Sequence, residues 1–116
     1  MMKTLISTTC AALLLIAGTT FTHSAEPIVG NWKTKSGETA AINKCGGAFC
    51  IKLKTGDYAG ENIGKLSGSG AEYSGTIRDP EDDKVYTGSA KVSGARMKLK
   101  GCALKIFCQT QTWKRL

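Results

Sequence analysis

The chain has 116 residues, with 16 lysine and arginine residues against 9 aspartate and glutamate residues, and a net charge of +7. This length fits a single domain. The one histidine, His23, stands near the start, so the rest of the chain lacks the base of a Ser-His-Asp or Cys-His site and the usual nitrogen ligand of zinc. Three further acids, Glu38, Glu61 and Glu72, have no spacing that brings two of them to one cleft. We therefore predict a protein that is not an enzyme and that holds no metal or cofactor.

The first residues have the pattern of an export signal. Lys3 precedes an apolar run from Leu5 to Ala17, and polar residues follow. The run is too short to span a bilayer, which takes about 20 apolar residues. We interpret residues 1–25 as a cleaved signal peptide, with cleavage after Ser24 as the alternative to cleavage after Ala25. The expected location is the periplasm or the exterior, with no transmembrane segment after cleavage.

The remaining 91 residues (116 − 25) contain four cysteines: Cys45, Cys50, Cys102 and Cys108. In an oxidising compartment four cysteines predict two disulfides, with three possible pairings. The Gly46-Gly47 turn favours a bridge between the first two. Along a straight strand, the Cα atoms of Cys102 and Cys108 would lie roughly 20 Å apart. A disulfide allows a Cα separation of at most about 7 Å, so residues 103–107 must fold back if these two cysteines pair. We favour these two local bridges and leave the crossed pairings open; without a C-x-x-C spacing, redox catalysis is not indicated.

Apolar residues in this part of the chain recur at every second position between short polar and glycine-containing breaks, which is the pattern of β-strands. The expected strands are 28–32, 39–44, 49–53, 63–66, 73–77, 86–92, 97–99 and 107–115, with turns at Ser67–Gly70, Asp79–Asp83 and Ser93–Gly94. Seven or eight short antiparallel strands indicate an all-β sandwich or small barrel. Glycines inside the strands favour the barrel, since they permit the coiling that closure needs.

The alternating acids Asp79, Glu81 and Asp83 have a spacing that could suit a calcium ion. The central glycine and final glutamate of an EF-hand loop are missing, however, so we interpret the segment as a turn with solvated acids.

Several lysines stand at outward positions of the expected strands: Lys52, Lys54, Lys91, Lys98 and Lys100. Such a face could bind an anionic lipid, glycan or nucleic acid, or it could serve only to keep the sheet soluble and its edges protected. Few exposed aromatic residues accompany the lysines, so we predict no nucleic-acid partner.

A set of short motifs resembles the bacterial family called domain of unknown function 2147. They are Gly30-Asn31-Trp32, Cys45-Gly46-Gly47-Ala48-Phe49-Cys50, Ile77-Arg78-Asp79-Pro80, Lys84-Val85-Tyr86, Leu99-Lys100-Gly101-Cys102 and Gln109-Thr110-Gln111-Thr112-Trp113. The resemblance covers nearly all of residues 26–116 and implies a small exported β protein with no assigned activity. The chain departs from many members by a short segment, residues 54–66, after the third strand.

The Gly30-x-Trp32 motif, with Arg115 near the end, is also similar to the lipocalin-type barrel. That resemblance implies that Arg115 stacks on Trp32 and closes one end of the barrel; the alternative is that both tryptophans are ordinary core residues. It also suggests an apolar or anionic envelope ligand. The candidate ligand-binding residues are Trp32, Tyr73, Tyr86, Trp113 and Arg115. Because the strands are short, we expect a filled core or a shallow mouth in place of a deep cavity.

A different class of function is suggested by Ser69-Gly70-Ala71-Glu72-Tyr73, which is similar to the S-G-x-x-Y element of periplasmic lysozyme inhibitors. The resemblance implies that Ser69 and Tyr73 enter a lysozyme cleft. The net charge of residues 26–116, +6 from 15 basic and 9 acidic residues, argues against it because many lysozymes are also basic. A purely structural envelope protein is a further alternative.

Overall fold

The computed structural model describes residues 26–104 and 106–116, so the expected signal peptide lies outside the described residues. Within them the chain forms eight strands and no helix: β1 (Gly30–Lys33), β2 (Thr39–Cys45), β3 (Ala48–Leu53), β4 (Asn62–Ser69), β5 (Glu72–Asp79), β6 (Lys84–Ser93), β7 (Arg96–Ala103) and β8 (Phe107–Arg115). Each strand pairs antiparallel with the next, and β8 pairs with β1 to close a barrel. The predicted all-β barrel is confirmed, and no helix in these residues is long and apolar enough to cross a membrane.

The register follows from the alternation of apolar and polar residues. In β3, Phe49, Ile51 and Leu53 are buried, whereas Lys52 is exposed. Ile51 lies opposite Ile42 of β2, which is also buried. A slip of one residue would turn this apolar set to solvent, so the alternation alone specifies the pairing.

The predicted end of β4 was wrong. We expected a turn at Ser67–Gly70, but the strand continues to Ser69, and the turn consists of Gly70 and Ala71. Gly68 lies opposite Tyr73 with φ 149°, and a Cβ atom there would collide with the Glu72 carbonyl oxygen. The glycine is therefore needed for a close approach inside the sheet, not for a turn.

The two ends of the barrel differ. The turns at residues 46–47, 70–71 and 94–95 meet at one end, together with residues 26–29, which precede β1. We call this the closed end, because Ile28 is fully buried there. The four longer connections, residues 34–38, 54–61, 80–83 and 104–106, form the opposite or open end. The Asp79–Asp83 turn is confirmed within this set, with Asp79 as the last residue of β5.

The core is concentrated towards the closed end. Its largest fully buried side chains are Trp32, Ile28, Ile42, Ile51, Leu66 and Met97. Further along the barrel, the inward positions of three neighbouring strands are glycines, with Gly75 opposite Gly88 and Gly88 opposite Gly101. A row of glycines lets the sheet curl sharply, as predicted, and at Gly75 and Gly88 the neighbouring chain occupies the place that a side chain would take.

Both favoured disulfides are present. Cys45 and Cys50 are joined across the β2–β3 hairpin, with their Cα atoms 5.8 Å apart. Cys102 and Cys108 lie directly opposite each other on β7 and β8, with a Cα separation of 4.0 Å. β7 and β8 form a hairpin, so the chain between Cys102 and Cys108 folds back, as the sequence requires for this pair.

The glycine row gives a matched test of packing. A Cβ atom at Gly75 would collide with the Lys65 carbonyl oxygen, which is backbone and cannot move aside, whereas a Cβ atom at Gly101 would sit 3.6 Å from Tyr86 Cβ in ordinary contact. We expect Gly75→Ala to lower the free energy of unfolding by about 3 kcal/mol or more, and Gly101→Ala to change it by less than about 1 kcal/mol. Urea denaturation of the two variants measures the difference; equal effects would contradict this account of the row.

Candidate functional site

A cavity of about 920 Å³ opens at the open end of the barrel. Its inner surface is mainly apolar, formed by Leu53, Ile63, Ile77, Leu99 and Trp113. The expectation of a filled core or a shallow mouth stays a prediction, because the core is filled at the closed end and the cavity at the open end is a wide mouth partly lined by exposed residues. The large side chains gather at the closed end, and Gly101 is the member of the glycine row that borders the cavity.

Local backbone features place the residues at the bottom of the cavity. The pairing of β3 with β4 shifts register between Ile51 and Lys52, and this irregularity turns both Ile63 and Gly64 into the interior. Trp113 lies opposite Met97 on β7, and its Nε1 donates a hydrogen bond to Gln111 Oε1 at 3.0 Å. The indole is therefore held in one orientation, with its ring against the cavity.

Three polar side chains of the cavity lining are candidates for ligand contacts. Tyr86, Gln109 and Lys84 line the cavity, and their side chains make no hydrogen bond or ion pair with any other part of the chain that the structure describes. An unpaired hydroxyl, amide and ammonium beside an apolar surface can hold the polar end of a ligand while its apolar part is buried.

The rim of the cavity is rich in acidic residues. Seven of the nine acids of the chain lie on the open-end connections or at their ends: Glu38, Asp57, Glu61, Asp79, Glu81, Asp82 and Asp83. Cations stand among these acids, including Lys35, Lys54, Arg78 and Lys84, so the rim as a whole carries both signs of charge. The acids outnumber the cations on the side formed by the β3–β4 loop and the β5–β6 turn, and anions are repelled from that side.

One arginine ties two rim loops together. Arg78 Nη2 donates to Glu61 Oε1 at 2.8 Å, and Arg78 Nη1 donates to Asp83 Oδ1 at 3.0 Å. These hydrogen bonds raise the pKa of the Arg78 guanidinium above its usual value. Arg78 thus holds the β3–β4 loop against the β5–β6 turn, although an exposed pair of this kind contributes little to global stability.

Two of the five predicted ligand-binding residues, Tyr86 and Trp113, line the cavity. Trp32, Tyr73 and Arg115 lie at the closed end, and none of them is part of the cavity lining. The sequence thus selected residues at both ends, because periodicity shows which side chains face inward but not how far along the barrel they lie.

Trp32 and Arg115 close their end of the barrel as the lipocalin resemblance implied. The Arg115 guanidinium carbon lies 4.2 Å from the centroid of the Trp32 ring, in a cation–π contact. Arg115 also donates to the carbonyl oxygens of Val29, at 3.1 Å, and Pro27. Trp32 Nε1 donates to the Ile28 carbonyl oxygen at 2.9 Å. Residues 26–29 are thereby fixed across the end of the barrel.

The two residues of the lysozyme-inhibitor motif are not presented together. Ser69 is exposed, but Tyr73 is only 3% exposed and packs edge-on against Phe49, with ring centroids 5.5 Å apart. The Tyr73 hydroxyl donates to the Gly70 carbonyl oxygen at 2.8 Å and lies 3.3 Å from a Glu26 carboxylate oxygen. A side chain that enters an enzyme cleft must be exposed, so this arrangement does not favour the inhibitor hypothesis.

The acids of the β5–β6 turn are engaged in local contacts. Asp79 Oδ1 accepts a hydrogen bond from the Glu81 amide, and Asp82 Oδ1 accepts one from the Lys84 amide. No group of three or more metal-binding side chains occurs within residues 26–104 and 106–116. The carboxylates shape the turn, which is the interpretation favoured from the sequence.

The sequence reasoning missed an apolar part of the rim. Leu104, Ile106 and Phe107 line the cavity from the β7–β8 hairpin, yet they are 82%, 74% and 65% exposed. The available signal was a cluster of large apolar residues inside a predicted loop between two cysteines, where polar residues are the norm.

Comparison with known proteins gives one match. The profile of a family described as "Uncharacterized protein conserved in bacteria (DUF2147)" matches residues 30–115, from the first residue of β1 to the last residue of β8. No curated protein and no solved structure matches the chain.

Replacing Arg115 tests the closed end. Arg115→Lys keeps the charge but loses the planar group that stacks on Trp32 and reaches two carbonyls, so we expect the free energy of unfolding to fall by about 2 kcal/mol. Arg96→Lys is the matched control, since Arg96 is exposed on the outer surface, and it should change stability by less than about 0.5 kcal/mol. Urea denaturation measures both, and an Arg115→Lys protein as stable as the control would refute the role of the stack.

Alkaline unfolding tests the environment of Tyr73. Desolvation, followed by the nearby Glu26 carboxylate, raises the pKa of the Tyr73 hydroxyl above its usual value of 10.0. The folded state thus holds this proton more tightly than the unfolded state, so its contribution to stability is complete below pH 10 and declines as pH rises through the folded-state pKa.

We expect Tyr73→Phe to reduce the loss of thermal stability between about pH 9 and pH 12. Tyr58, whose pKa is also raised by desolvation and nearby acids, titrates in both proteins, so only the difference between the two pH profiles reports on Tyr73. Scanning calorimetry measures the melting temperature of both proteins across this pH range. Parallel pH profiles would show that ionisation of Tyr73 does not contribute to the alkaline loss of stability.

Proposed function

The chain belongs to the DUF2147 family of bacterial proteins, and from its open barrel we propose that it is an exported, non-enzymatic protein that binds a small apolar molecule. The observation that carries the proposal is the cavity of about 920 Å³ with its apolar inner surface. Ligand sites of proteins occupy about 300–1,000 Å³ and are lined mainly by apolar and aromatic side chains with a few polar groups. The cavity has a volume in this range, and its apolar side chains are gathered at the inner end, beneath a mouth lined by polar and charged residues.

The apolar inner surface supplies the affinity in this proposal. Leu53, Ile63 and Leu99 present aliphatic surface to the cavity, and Trp113 presents an indole fixed by Gln111. Burying apolar ligand surface against them yields roughly 25 cal/mol per Å² before the costs of association. These four side chains present apolar surface to the inner end of the cavity, which favours an apolar molecule over a polar one.

The rim selects among apolar ligands by charge. Glu38, Asp79 and Glu81 line the outer part of the cavity, and Lys84 is the cation beside them that has no acidic partner among the described residues. Of the two ligand types considered from the sequence, apolar or anionic, this arrangement supports the first. The polar end of the ligand in this proposal is uncharged, because the carboxylates disfavour an anion and the ammonium of Lys84 disfavours a cation.

Two features of the chain support the remaining parts of the proposal. The domain has no histidine, and the carboxylates of Glu61, Asp79, Asp82 and Asp83 at the rim are engaged in turns or ion pairs, which supports binding without catalysis. The two disulfides support an oxidising compartment such as the periplasm or the exterior.

A pair of related dyes tests both the binding and its charge preference. N-phenyl-1-naphthylamine is neutral, and 1-anilinonaphthalene-8-sulfonate has a closely similar aromatic frame with one negative charge. We expect the neutral dye to bind with increased fluorescence and to quench Trp113, and the anionic dye to bind at least about tenfold more weakly at low salt, a difference of about 1.4 kcal/mol. Absence of binding by the neutral dye would refute the proposal.

A variant that fills the cavity shows where the dye binds. Ala103 lines the cavity near its mouth, so Ala103→Phe should raise the dissociation constant of the neutral dye at least about tenfold. Ala95→Phe makes the same chemical change in an exposed turn at the closed end and should leave binding unchanged. Equal dye binding by both variants would place the dye outside the cavity and contradict the proposal.

A further inference from the structure

The apolar residues of the β7–β8 hairpin stand out from the rest of the surface. Leu104, Ile106 and Phe107, which we call the apolar tip, are 65–82% exposed at one turn. The tip is fixed at its base by the disulfide between Cys102 and Cys108, which lie opposite each other on the two strands. A rigid hairpin that holds three large apolar side chains in water indicates a surface that contacts an apolar phase.

The outer surface of the same hairpin and its neighbours is strongly basic. Six exposed cations on β6, β7, β8 and β1, which we call the basic wall, are Lys91, Arg96, Lys98, Lys100, Lys114 and Lys33. Several stand directly opposite one another: Lys91 faces Lys98, and Lys114 lies between Arg96 and Lys33. None of the six forms an ion pair with an acid in the part of the chain that the structure describes.

Like charges on directly opposed positions destabilise a sheet. Solubility alone does not require this arrangement, because the same lysines on separate faces would serve equally well. An external anionic surface, in contrast, stabilises clustered cations through charge attraction. The basic wall therefore points to a polyanionic partner.

We propose that the apolar tip and the basic wall together dock the barrel on a lipid bilayer that contains anionic headgroups. Lys98 and Lys100 lie on the outer face of β7, the strand that leads into the tip. Leu104 follows Lys100 by four residues, about 13 Å of extended strand. With the hairpin inclined to the surface, the lysines contact the headgroups and the tip reaches the edge of the hydrocarbon.

A bilayer can bind both the basic wall and the apolar tip, whereas other polyanions can bind only the basic wall. An anionic polysaccharide would pair with the lysines but would leave the apolar tip in water. A bilayer provides anionic headgroups directly above an apolar layer, and cations near it and buried apolar groups both contribute to binding.

The acidic loops set the orientation of the docked barrel. The β3–β4 loop and the β5–β6 turn, with Asp79 at the end of β5, carry six of the seven rim acids, and an anionic bilayer repels them. The β7–β8 hairpin carries none. The barrel therefore docks on its β7–β8 side, with the acidic connections turned away from the bilayer. This inference does not depend on the cavity being a ligand site.

Vesicle flotation of the protein tests the proposal, with vesicles of phosphatidylcholine alone and of phosphatidylcholine mixed with phosphatidylglycerol. We expect binding to the anionic vesicles only, weakened when NaCl is raised from about 0.1 M to about 1 M, which shortens the Debye length from about 10 Å to about 3 Å. Equal binding to both vesicles, or none to either, overturns the proposal.

Variants separate the two parts of the surface. The double variant Ile106→Ser, Phe107→Ser should weaken vesicle binding at least about tenfold, whereas Leu116→Ser, which removes a side chain that is 65% exposed on the chain end beyond β8, should not. Lys98→Gln and Lys100→Gln should each weaken it about fivefold. Lys52→Gln and Lys65→Gln, on the outer surface of β3 and β4, are the matched controls.

Insertion of the tip has its own signature. We expect Phe107→Trp to add fluorescence that shifts to the blue on anionic vesicles and is quenched by brominated lipid acyl chains, and Leu116→Trp to show neither effect. Thermal melting of every variant checks that it is folded. Binding that depends on the lysines but not on the tip would indicate a polysaccharide-like polyanion as partner and would overturn the bilayer proposal.

The dye and vesicle experiments can fail separately. Ala103→Phe should lose the dye but keep vesicle binding, whereas Lys98→Gln should weaken vesicle binding and keep the dye, since Lys98 is exposed on the outer surface and is not part of the cavity lining. Loss of vesicle binding in Ala103→Phe would contradict the independence of the two sites.

Discussion

The stacking of Arg115 on Trp32 reinforces the seam at which the barrel closes. The seam between β1 and β8 has only two residue pairs, Trp32 with Arg115 and Lys33 with Lys114, whereas the other strand pairs have four or more. One further backbone hydrogen bond, from the Leu116 amide to the Asn31 carbonyl oxygen at 3.0 Å, joins the same two edges. The guanidinium adds a stacking contact and hydrogen bonds to the carbonyls of residues 27 and 29, so it joins the last strand both to the first strand and to the segment that precedes it.

The closed end determines where the free interior space can be. The segment at residues 26–29 brings Ile28 into the interior, and this side chain packs with Trp32 and other large core residues. The hydrophobic core of a small domain is thus completed at one end of the barrel. At the other end the largest core side chains are absent among the described residues, Gly101 borders the interior space, and this space becomes the cavity. Stability and binding capacity are therefore placed in different halves of the same barrel.

Charge is divided in a similar way. The connections at the open end hold most of the acids, while the outward positions of β6, β7, β8 and β1 hold cations. This separation gives the molecule an acidic edge at the β3–β4 loop and the β5–β6 turn, and a basic side on β6, β7, β8 and β1. The apolar tip lies where the two meet, held at its base by a disulfide. The orientation of the protein at a charged surface follows from this distribution, while its net charge alone would not define one.

The sequence by itself determined the all-β class and a count of seven or eight strands, and it favoured the barrel over a sandwich and the two local disulfides over the crossed pairings. These depend on local information: the two-residue alternation of Phe49, Ile51 and Leu53, the glycines inside the strands, and the short spacing within each cysteine pair. The family was recognisable for the same reason, since its motifs are short and contiguous. The end of β4 was misjudged because Gly68 is required by the close approach of the β5 backbone, not by a turn. The residues around a glycine do not show which of these two reasons applies.

Only the tertiary structure decided which end of the barrel is closed, how much of the interior is empty, and which inward residues face the cavity. Alternation shows that Tyr73, Tyr86 and Trp113 point inward, but their depth depends on how eight strands are staggered around the barrel. The same holds for the charges, since acids from Glu38 to Asp83 meet at one rim only after the strands pair. Periodicity is a property of single strands, whereas depth, cavity volume and charge separation are properties of the closed sheet.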